Sequence, residues 1–206
     1  MAFGEHARAA GNAASKATAE KLYRAFLGHV LSPPKFTDTR PVKSMAFPMI
    51  RIVLGQRLRD SIGLASADQD IDRAIVEIRR DFMKPEIGCC MENVGPAGES
   101  LEGFAGRLLN PGHAIEGAWF MMREGQVRGR PDYVRAGCDI LDWMWERGWD
   151  REYGGMLYYR DADGKPSAEY WHDMKFWWPQ NETIIATLLA WTLTRERRYA
   201  EWHQQV

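Results

Sequence analysis

The chain has 206 residues, of which 45% are hydrophobic and 27% are charged, and its formal net charge at pH 7 is −1. This composition is typical of a globular protein with one substantial core and excludes a disordered chain. The nearly neutral charge gives no electrostatic reason to expect nucleic acid or an anionic membrane as a partner.

Three cysteines, Cys89, Cys90 and Cys138, form neither a disulfide pattern nor a metal-ligand spacing. We interpret them as buried or partly buried free thiols in a reducing compartment. No secretory hydrophobic region follows Met1, and the chain has no run of about 18 apolar residues for a membrane span. We therefore expect a cytoplasmic location.

The first part of the chain predicts two helices separated by a proline-rich connection. Residues 1 to about 15 carry no strong helix start signal, and we allow for disorder there. A helix is predicted over about 14–30, and the connection from Ser32 to Pro41 cannot continue it. The next helix begins near the N-cap candidate Ser44 and ends near Gly63. Its predicted buried face consists of Met45, Met49, Ile52, Val53 and Leu58.

A third helix follows the capping candidates Asp68 and Asp70 and stops before Pro85. Apolar residues at helical spacing are expected to form its buried face, namely Ile71, Ala74, Ile75 and Ile78. A short strand, a glycine turn and a return strand then predict a β-hairpin over about 88–100.

The second half of the chain predicts further helices around a second hairpin. One helix opens at the sequence PGHAIE, residues 111–116, and the next covers about 131–147, with a proline in its first turn. The second hairpin spans about 154–170. A helix over about 177–194 and a helical stretch over 196–206 complete the chain.

Glutamates and glycines recur along the chain at one sequence interval. The interval from Glu116 to Glu182 equals the interval from Gly88 to Gly154. This repeat interval predicts a duplicated unit made of a helix, a hairpin and a second helix. About seven helices in antiparallel pairs, with two short β-hairpins, indicate an all-α fold, an α/α toroid in which each pair buries its face against the next. We expect one partial domain over residues 1–206. A plain orthogonal helical bundle is the alternative.

His113 and Glu116 are three residues apart and are therefore expected on one face at the start of their helix. A neutral imidazole can accept a proton, and Glu116 can orient it or hold a substrate hydroxyl. His113 can instead bond only a backbone carbonyl. A metal bound by this pair, with help from His172 and Asp173, is a further alternative.

Glu182 follows an aromatic-proline entry and heads an apolar helix. A carboxylate there is also stabilised by the helix dipole alone, so the position has a purely structural alternative. The repeat favours function, because it would aim Glu116 and Glu182 into one shared centre. Lys175 is interpreted as a solvated charge. Several tryptophans close in sequence can build core or form the floor of a sugar site: Trp143, Trp145, Trp149, Trp171, Trp177 and Trp178.

The chain resembles the N-acylglucosamine 2-epimerase family, which also holds renin-binding proteins and cellobiose 2-epimerases. Four segments carry the resemblance: RPVKSMAFPMI (40–50), MENVGPAGE (91–99), NPGHAIEGAWF (110–120) and MKFWWPQNETIIATLLAW (174–191). The resemblance implies an (α/α)6 barrel and an epimerase or isomerase that acts at C2 of a reducing sugar. In that chemistry a histidine removes the C2 proton to give an enediolate, and a second histidine returns a proton.

The resemblance also implies roles for particular residues. His113 and Glu182 would be catalytic, and the substrate-binding residues would be Glu116, Trp177, Trp178 and Gln180. No chemical cofactor or metal is expected, and a nucleotide regulator is left open. The partner would be a small-molecule sugar of the N-acylhexosamine, free hexose or disaccharide type.

The chain departs from the family pattern in its length. Family members are about twice as long, so the chain resembles their central part and is expected to be a fragment. The second catalytic histidine and a substrate-binding arginine are not supplied by any segment identified in the sequence. We therefore expect either a sugar epimerase or, as the alternative, a catalytically incompetent remnant that binds carbohydrate or protein. Association as a homodimer or with a missing barrel half is expected to cover exposed apolar faces.

Overall fold

The structure is a computed structural model that describes residues 1–30 and 42–206, so the predicted connection from Ser32 to Pro41 lies outside the described residues. The contacts divide the chain into two compact units, Met1–Pro41 with Phe47–Val76 and Val42–Ala46 with Glu77–Val206. The elements are α1 (Ala2–Ala10), α2 (Ala13–Val30), β1 (Lys43–Ser44), α3 (Ala46–Ile62), α4 (Ala67–Glu77), a π-helical turn (Ile78–Phe82), β2 (Met83–Lys84), β3 (Cys89–Cys90), β4 (Asn93–Val94), α5 (Phe104–Arg107), β5 (Leu108–Leu109), α6 (Pro111–Arg128), α7 (Pro131–Gly148), β6 (Arg160–Asp161), α8 (Trp177–Thr194) and α9 (Arg197–His203).

The first unit is a group of helices around a small apolar core. The Tyr23 hydroxyl donates to the buried carboxylate of Asp70 at 3.1 Å, so this polar pair is satisfied inside the unit. The buried apolar members of the core are Ala7, Ala19, Tyr23, Leu58 and Ile62. Helix α2 corresponds to the helix predicted over about 14–30.

Helix α1 corrects the expectation for the N-terminal segment, where no helix was predicted. Alanine-rich segments have a high helix propensity, and a salt bridge of 2.8 Å joins Glu5 to Arg8 on this helix. Gly11 ends it in the left-handed conformation, with φ at 61°. A helix this short depends on packing, which the buried Ala7 supplies.

Helices α3 and α4 lie where the sequence predicts them. The Ser44 hydroxyl oxygen accepts a hydrogen bond from the Ala46 N–H at 3.3 Å, which fits its prediction as a capping residue. The predicted apolar faces are buried at Met45, Met49, Ile52, Leu58, Ile71, Ala74, Ile75 and Ile78. Val53 is half-buried. In the π-helical turn that follows α4, the buried Asp81 pairs with Lys43 and Arg80.

The second unit is built on the packing of α6 against α7 and α8, and of α8 against α9. Gly137 on α7 allows α6 and α7 to pack closely. A Cβ atom at Gly137 would lie 2.5 Å from the carbonyl oxygen of Ala118 and 2.6 Å from the side chain of Met122. The absence of a side chain there lets the two helices approach.

The two hairpins predicted over 88–100 and 154–170 are wrong. Strand β3 pairs with β2, β4 pairs with β1, and β6 pairs with β5, all antiparallel. The glycine turns do form, since the Gly98 N–H donates to Gly95 O and the Gly164 N–H donates to Asp161 O. The strands next to each turn form their ladders with earlier segments of the chain and not with a return strand. Strands β1 and β5, which take part in two of these ladders, each lead directly into a helix.

The repeat interval predicted from the sequence appears in the backbone register. Leu109 pairs with Arg160 and Lys43 pairs with Val94, so both partners are shifted by the same interval, 109 against 43 and 160 against 94. Helices α6 and α8 begin at 111 and 177, and α7 and α9 at 131 and 197, which are again one interval apart. The repeated unit is therefore a helical pair with its entry ladder.

The three cysteines are free and buried, as predicted. Burial raises the pKa of Cys89 and Cys138 to about 11, so reactive thiolates are disfavoured there. None of the helices in the described part of the chain is long and apolar enough to cross a membrane.

Candidate active site

The candidate site is built on the first turns of α6. The Asn110 side-chain oxygen accepts the His113 N–H at 3.2 Å and caps the helix, and Pro111 occupies the first turn. His113 and Glu116 follow on one face of the fixed helix start, and both side chains are half-buried. The sequence prediction of their common face is consistent with this arrangement.

Helix α8 closely approaches the start of α6 because Gly112 has no side chain. A Cβ atom at Gly112 would lie 2.6 Å from the ring of Trp178. The Trp178 ring centroid is 5.3 Å from that of His113, with the planes tilted by 38°. Tyr158 meets Trp178 edge-on, with centroids 6.0 Å apart. The imidazole therefore lies beside an aromatic wall.

His113 contacts the carboxylate of Glu92 on its other side. Both carboxylate oxygens lie 3.2 Å from Nδ1 of the imidazole. Burial lowers the pKa of His113, but the hydrogen bond and charge of Glu92, together with the charge of Glu116, outweigh it and raise the pKa above its ordinary value. The protonated imidazole is thus stabilised by the site.

Glu116 and Glu182 come together from α6 and α8. The Trp119 indole N–H donates to Glu182 Oε2 at 2.6 Å, which fixes the Glu182 carboxylate against α6. Burial, and after it the negative charge of Glu182, raise the pKa of Glu116 to about 7, while the charge of His113 acts in the opposite direction. Near neutral pH, Glu116 can therefore both donate and accept a hydrogen bond.

The structure brings four of the six predicted site residues together. The four are His113, Glu116, Trp178 and Glu182. The Trp177 side chain is 75% exposed. The Gln180 amide bonds the backbone of Met156, accepting from its N–H at 2.7 Å and donating to its carbonyl at 2.8 Å. This geometry favours a structural role for Gln180.

The tryptophans predicted to cluster have different surroundings. Trp145 stacks on Trp149 and on Trp202, with centroids 4.3 and 4.6 Å apart, which is core packing between α7 and its neighbours. Trp178 lies at the imidazole. The core interpretation is confirmed for Trp145 and Trp149, and the position of Trp178 leaves a sugar-site role for that ring as a prediction.

The other polar candidates lie in separate ion pairs. His172 and Asp173 lie 2.9 Å apart, and Asp173 also accepts from Arg160 at 2.8 Å. Lys175 pairs with Asp150 at 2.6 Å instead of standing as a solvated charge. Among the residues that the structure describes, no group of three or more His, Cys, Asp or Glu side chains is arranged to hold a metal ion.

Sequence reasoning assigned no role to Glu92 or Trp119, although both contact the site. Glu92 is 21 residues before His113 and lies between two strands of different ladders, so no helical spacing connects it to the imidazole. A carboxylate directly after the apolar run Cys89–Met91 was the available signal. Trp119 is three residues after Glu116, and this spacing could have placed it on the same face.

Comparison of the sequence with known proteins points to a family of sugar epimerases. The model of the family described as N-acylglucosamine 2-epimerase (GlcNAc 2-epimerase) matches residues 57–206. The N-acylglucosamine 2-epimerase of Bos taurus is 32% identical over 174 residues, which are 80% of this chain and 39% of that protein. The Mus musculus protein of the same name is 30% identical over 169 residues, 79% of this chain and 39% of its own length. The chain thus spans about two fifths of the curated relatives it matches.

Two solved structures resemble the chain over nearly its whole length. A D-mannose isomerase has a TM-score of 0.77 at 15% identity and covers 98% of this chain and 56% of its own. A sugar epimerase from a ruminal bacterium has a TM-score of 0.74 at 16% identity, covering 99% of this chain and 55% of its own. At such identities the likeness concerns the fold alone. It confirms the predicted fold class, an all-α fold of the (α/α)6-barrel type.

Proposed function

Because the chain belongs to the N-acylglucosamine 2-epimerase family, we propose that it acts on a reducing sugar and moves the proton at C2. The observation that carries this proposal is the meeting of His113, Glu116 and Glu182 beside the Trp178 ring. An imidazole and two carboxylates next to an aromatic face suit a polar ring compound with several hydroxyl groups.

In the proposed reaction the sugar is bound in its open form, with an aldehyde at C1. The imidazole of His113 takes the C2 proton, the electron pair of the broken C–H bond forms a C1–C2 double bond, and the C1 carbonyl oxygen takes the negative charge. The intermediate is an enediolate, or an enolate where C2 carries an acylamino group. A proton from solvent returned to the opposite face of C2 restores the C1 aldehyde and gives the epimer. Where C2 carries a hydroxyl group, transfer of its proton to O1 and return of a proton to C1 give the 2-ketose. Neither outcome changes the oxidation state of the sugar as a whole.

The carboxyl groups have complementary parts in this proposal. Glu116, whose pKa is raised to about 7, donates a hydrogen bond to a sugar oxygen when protonated. Glu182, held by the Trp119 indole, accepts from a sugar hydroxyl. Trp178 packs against the apolar side of the sugar.

The test is incorporation of solvent deuterium at C2 of N-acetylmannosamine, mannose or cellobiose, followed by NMR. We expect exchange by the unmodified chain and its loss in His113→Ala. Exchange without epimerisation would show that one base acts without a partner on the opposite face. The control is His203→Asn, since the His203 imidazole lies 3.1 Å from the Thr187 hydroxyl and belongs to α9, which carries none of the proposed site residues.

Two results would overturn the proposal. Undiminished exchange in His113→Ala would remove His113 as the base. Absence of exchange with every sugar would favour the alternative predicted from the sequence, a chain that binds carbohydrate or protein without reaction. Sugar binding that survives in His113→Ala but is lost in Glu182→Gln would support that alternative.

A further inference from the structure

Glu92 is held by the backbone on both sides, although it lies outside any helix. Its N–H donates to the carbonyl of Leu108 at 3.2 Å, and its carbonyl accepts from the Met45 N–H at 2.9 Å. The side chain is only 12% exposed. The two ladders that flank Glu92 therefore fix the direction in which its carboxylate points.

The carboxylate determines which imidazole nitrogen carries the proton. An ionised carboxylate only accepts hydrogen bonds, so Nδ1 of His113, which lies 3.2 Å from both carboxylate oxygens, must be the donor. The Asn110 amide nitrogen is also 3.2 Å from Nδ1, but a charge-assisted bond to Glu92 is the stronger of the two. In the neutral imidazole, Nε2 then has a lone pair and can accept a proton.

We propose that Glu92 is a positioning residue that holds His113 in the tautomer with its proton on Nδ1 and thereby makes Nε2 the base. The inference rests on the proposed function for the identity of the proton that is removed. As the C2–H bond breaks, a new N–H bond forms at Nε2, and the resulting imidazolium is stabilised by the ionised carboxylate. Glu92 itself takes no proton.

The charged groups around the imidazole determine how a substitution at Glu92 changes the pKa of His113. Glu92 faces His113 from the segment between β3 and β4, and Glu116 faces it from α6. The charge of Glu182 on α8 raises the pKa of Glu116, and the charge of Glu92 contributes to the raised pKa of Tyr159. Because Glu92 supplies the largest contribution that raises the pKa of His113, its replacement by glutamine should lower that pKa while keeping the shape of the side chain.

The first experiment needs no sugar. The intact chain, labelled with ¹⁵N at histidine, is titrated by NMR as the unmodified protein and as Glu92→Gln. We expect the Nδ1–H tautomer of His113 in the unmodified protein, and in Glu92→Gln a loss of that preference and a lower pKa. Glu92→Asp, which keeps the charge, should give an intermediate pKa. An unchanged tautomer and pKa in Glu92→Gln would overturn the proposal.

The second experiment measures C2 exchange against pH in the same variants. Glu92→Gln should exchange at least about tenfold more slowly, with its acid limb moved to lower pH because the base stays unprotonated there. Glu102→Gln, a change at an exposed carboxylate of the same loop region, is the matched control and should keep the original rate and profile. Exchange in Glu92→Gln at the original rate and profile would also overturn the proposal.

The two readouts separate this inference from the proposed function. A tautomer that depends on Glu92 in a chain that exchanges no sugar would retain the positioning role and reject the reaction. Exchange that depends on His113 but not on Glu92 would retain the reaction and reject the positioning role.

Discussion

The position of the Glu116 carboxyl group lowers the free energy of unfolding when this group is ionised. Its pKa is raised from 4.5 to about 7, first by burial and then by the charge of Glu182, so the folded protein disfavours its ionised form. The folded state therefore holds this proton more tightly than the unfolded chain. Stability is lost as the pH rises from about 4.5 to above 7.

Glu116→Gln should remove this pH-dependent penalty. We expect the variant to be more stable than the unmodified protein at pH 8, by on the order of 1 kcal/mol, and to lose that advantage at pH 4. Urea unfolding at the two pH values measures the difference, with Glu102→Gln as an exposed control. Equal effects of Glu116→Gln at both pH values would contradict the raised pKa.

The residues at the site were predictable only where chain spacing connects them. His113 and Glu116 share a helix face, and the repeat interval linked Glu116 to Glu182. Glu92, the partner of the imidazole, was missed because it lies between β3 and β4. The pairing of these strands with β2 and β1 fixes its position, and strand pairing is not encoded in local spacing. The spacing also gave no information on Gln180, whose amide is used by the backbone of Met156.

The packing of α8 on α6 depends on one missing side chain. Gly112 lies under the Trp178 ring, and a Cβ atom there would also come within 3.1 Å of Pro179. The rigid ring and the first turn of α8 leave little room for adjustment. The distance between the two helices, and with it the position of Trp178 beside His113, is therefore set at Gly112.

Gly112→Ala should displace the first turn of α8. We expect a loss of about 1–3 kcal/mol of stability from overpacking, together with a smaller ring-current shift of the His113 imidazole in NMR spectra. Gly28→Ala is the matched control, because a Cβ atom there meets no atom of the described residues within 4 Å, and alanine should stabilise α2 by up to about 1 kcal/mol. Equal stability changes in the two variants, measured by urea unfolding, would contradict the role of Gly112.

The longer helices, α2 to α4 and α6 to α8, were predictable because apolar spacing, capping residues and prolines all act within a few residues, whereas α1 was missed. Pro111 and Pro131 mark first turns in the structure as they do in the sequence. The hairpins failed for the opposite reason. The turn signals were correct, but the strands just before the turns, β4 and β6, pair with the entries of α3 and α6, and only the tertiary fold determines this choice.

Equivalent positions of the two repeats differ in how far they are exposed to solvent. Ile184 and Leu188 on α8 are 38% and 44% exposed, whereas their counterparts one repeat earlier, Ala118 and Met122 on α6, are fully buried. The α6 face is covered by neighbouring helices, α8 among them. The equivalent α8 face is an exposed apolar surface within the described part of the chain, and apolar surfaces of this kind favour association.

We expect the chain to self-associate through this α8 face. Leu188→Glu should shift the population toward monomer, because a charge would be buried in the contact, and size-exclusion chromatography with light scattering measures the change. Val127→Glu is the control, as Val127 is 52% exposed on α6 outside this face. A monomeric unmodified protein across the micromolar range would contradict the expectation.

The ladder between β5 and β6 joins two segments that leave the ribosome far apart in time. Leu109 leads into the cap of α6, yet its partner Arg160 is translated only after α6 and α7 are complete. The residues around His113 are separated by a longer stretch of sequence than Leu109 and Arg160, since Glu92 precedes α6 and Glu182 belongs to α8. A nascent chain that has completed α6 thus has Glu92 but still lacks Trp178 and Glu182, and an arrest of translation ahead of α8 releases α6 without these two neighbours.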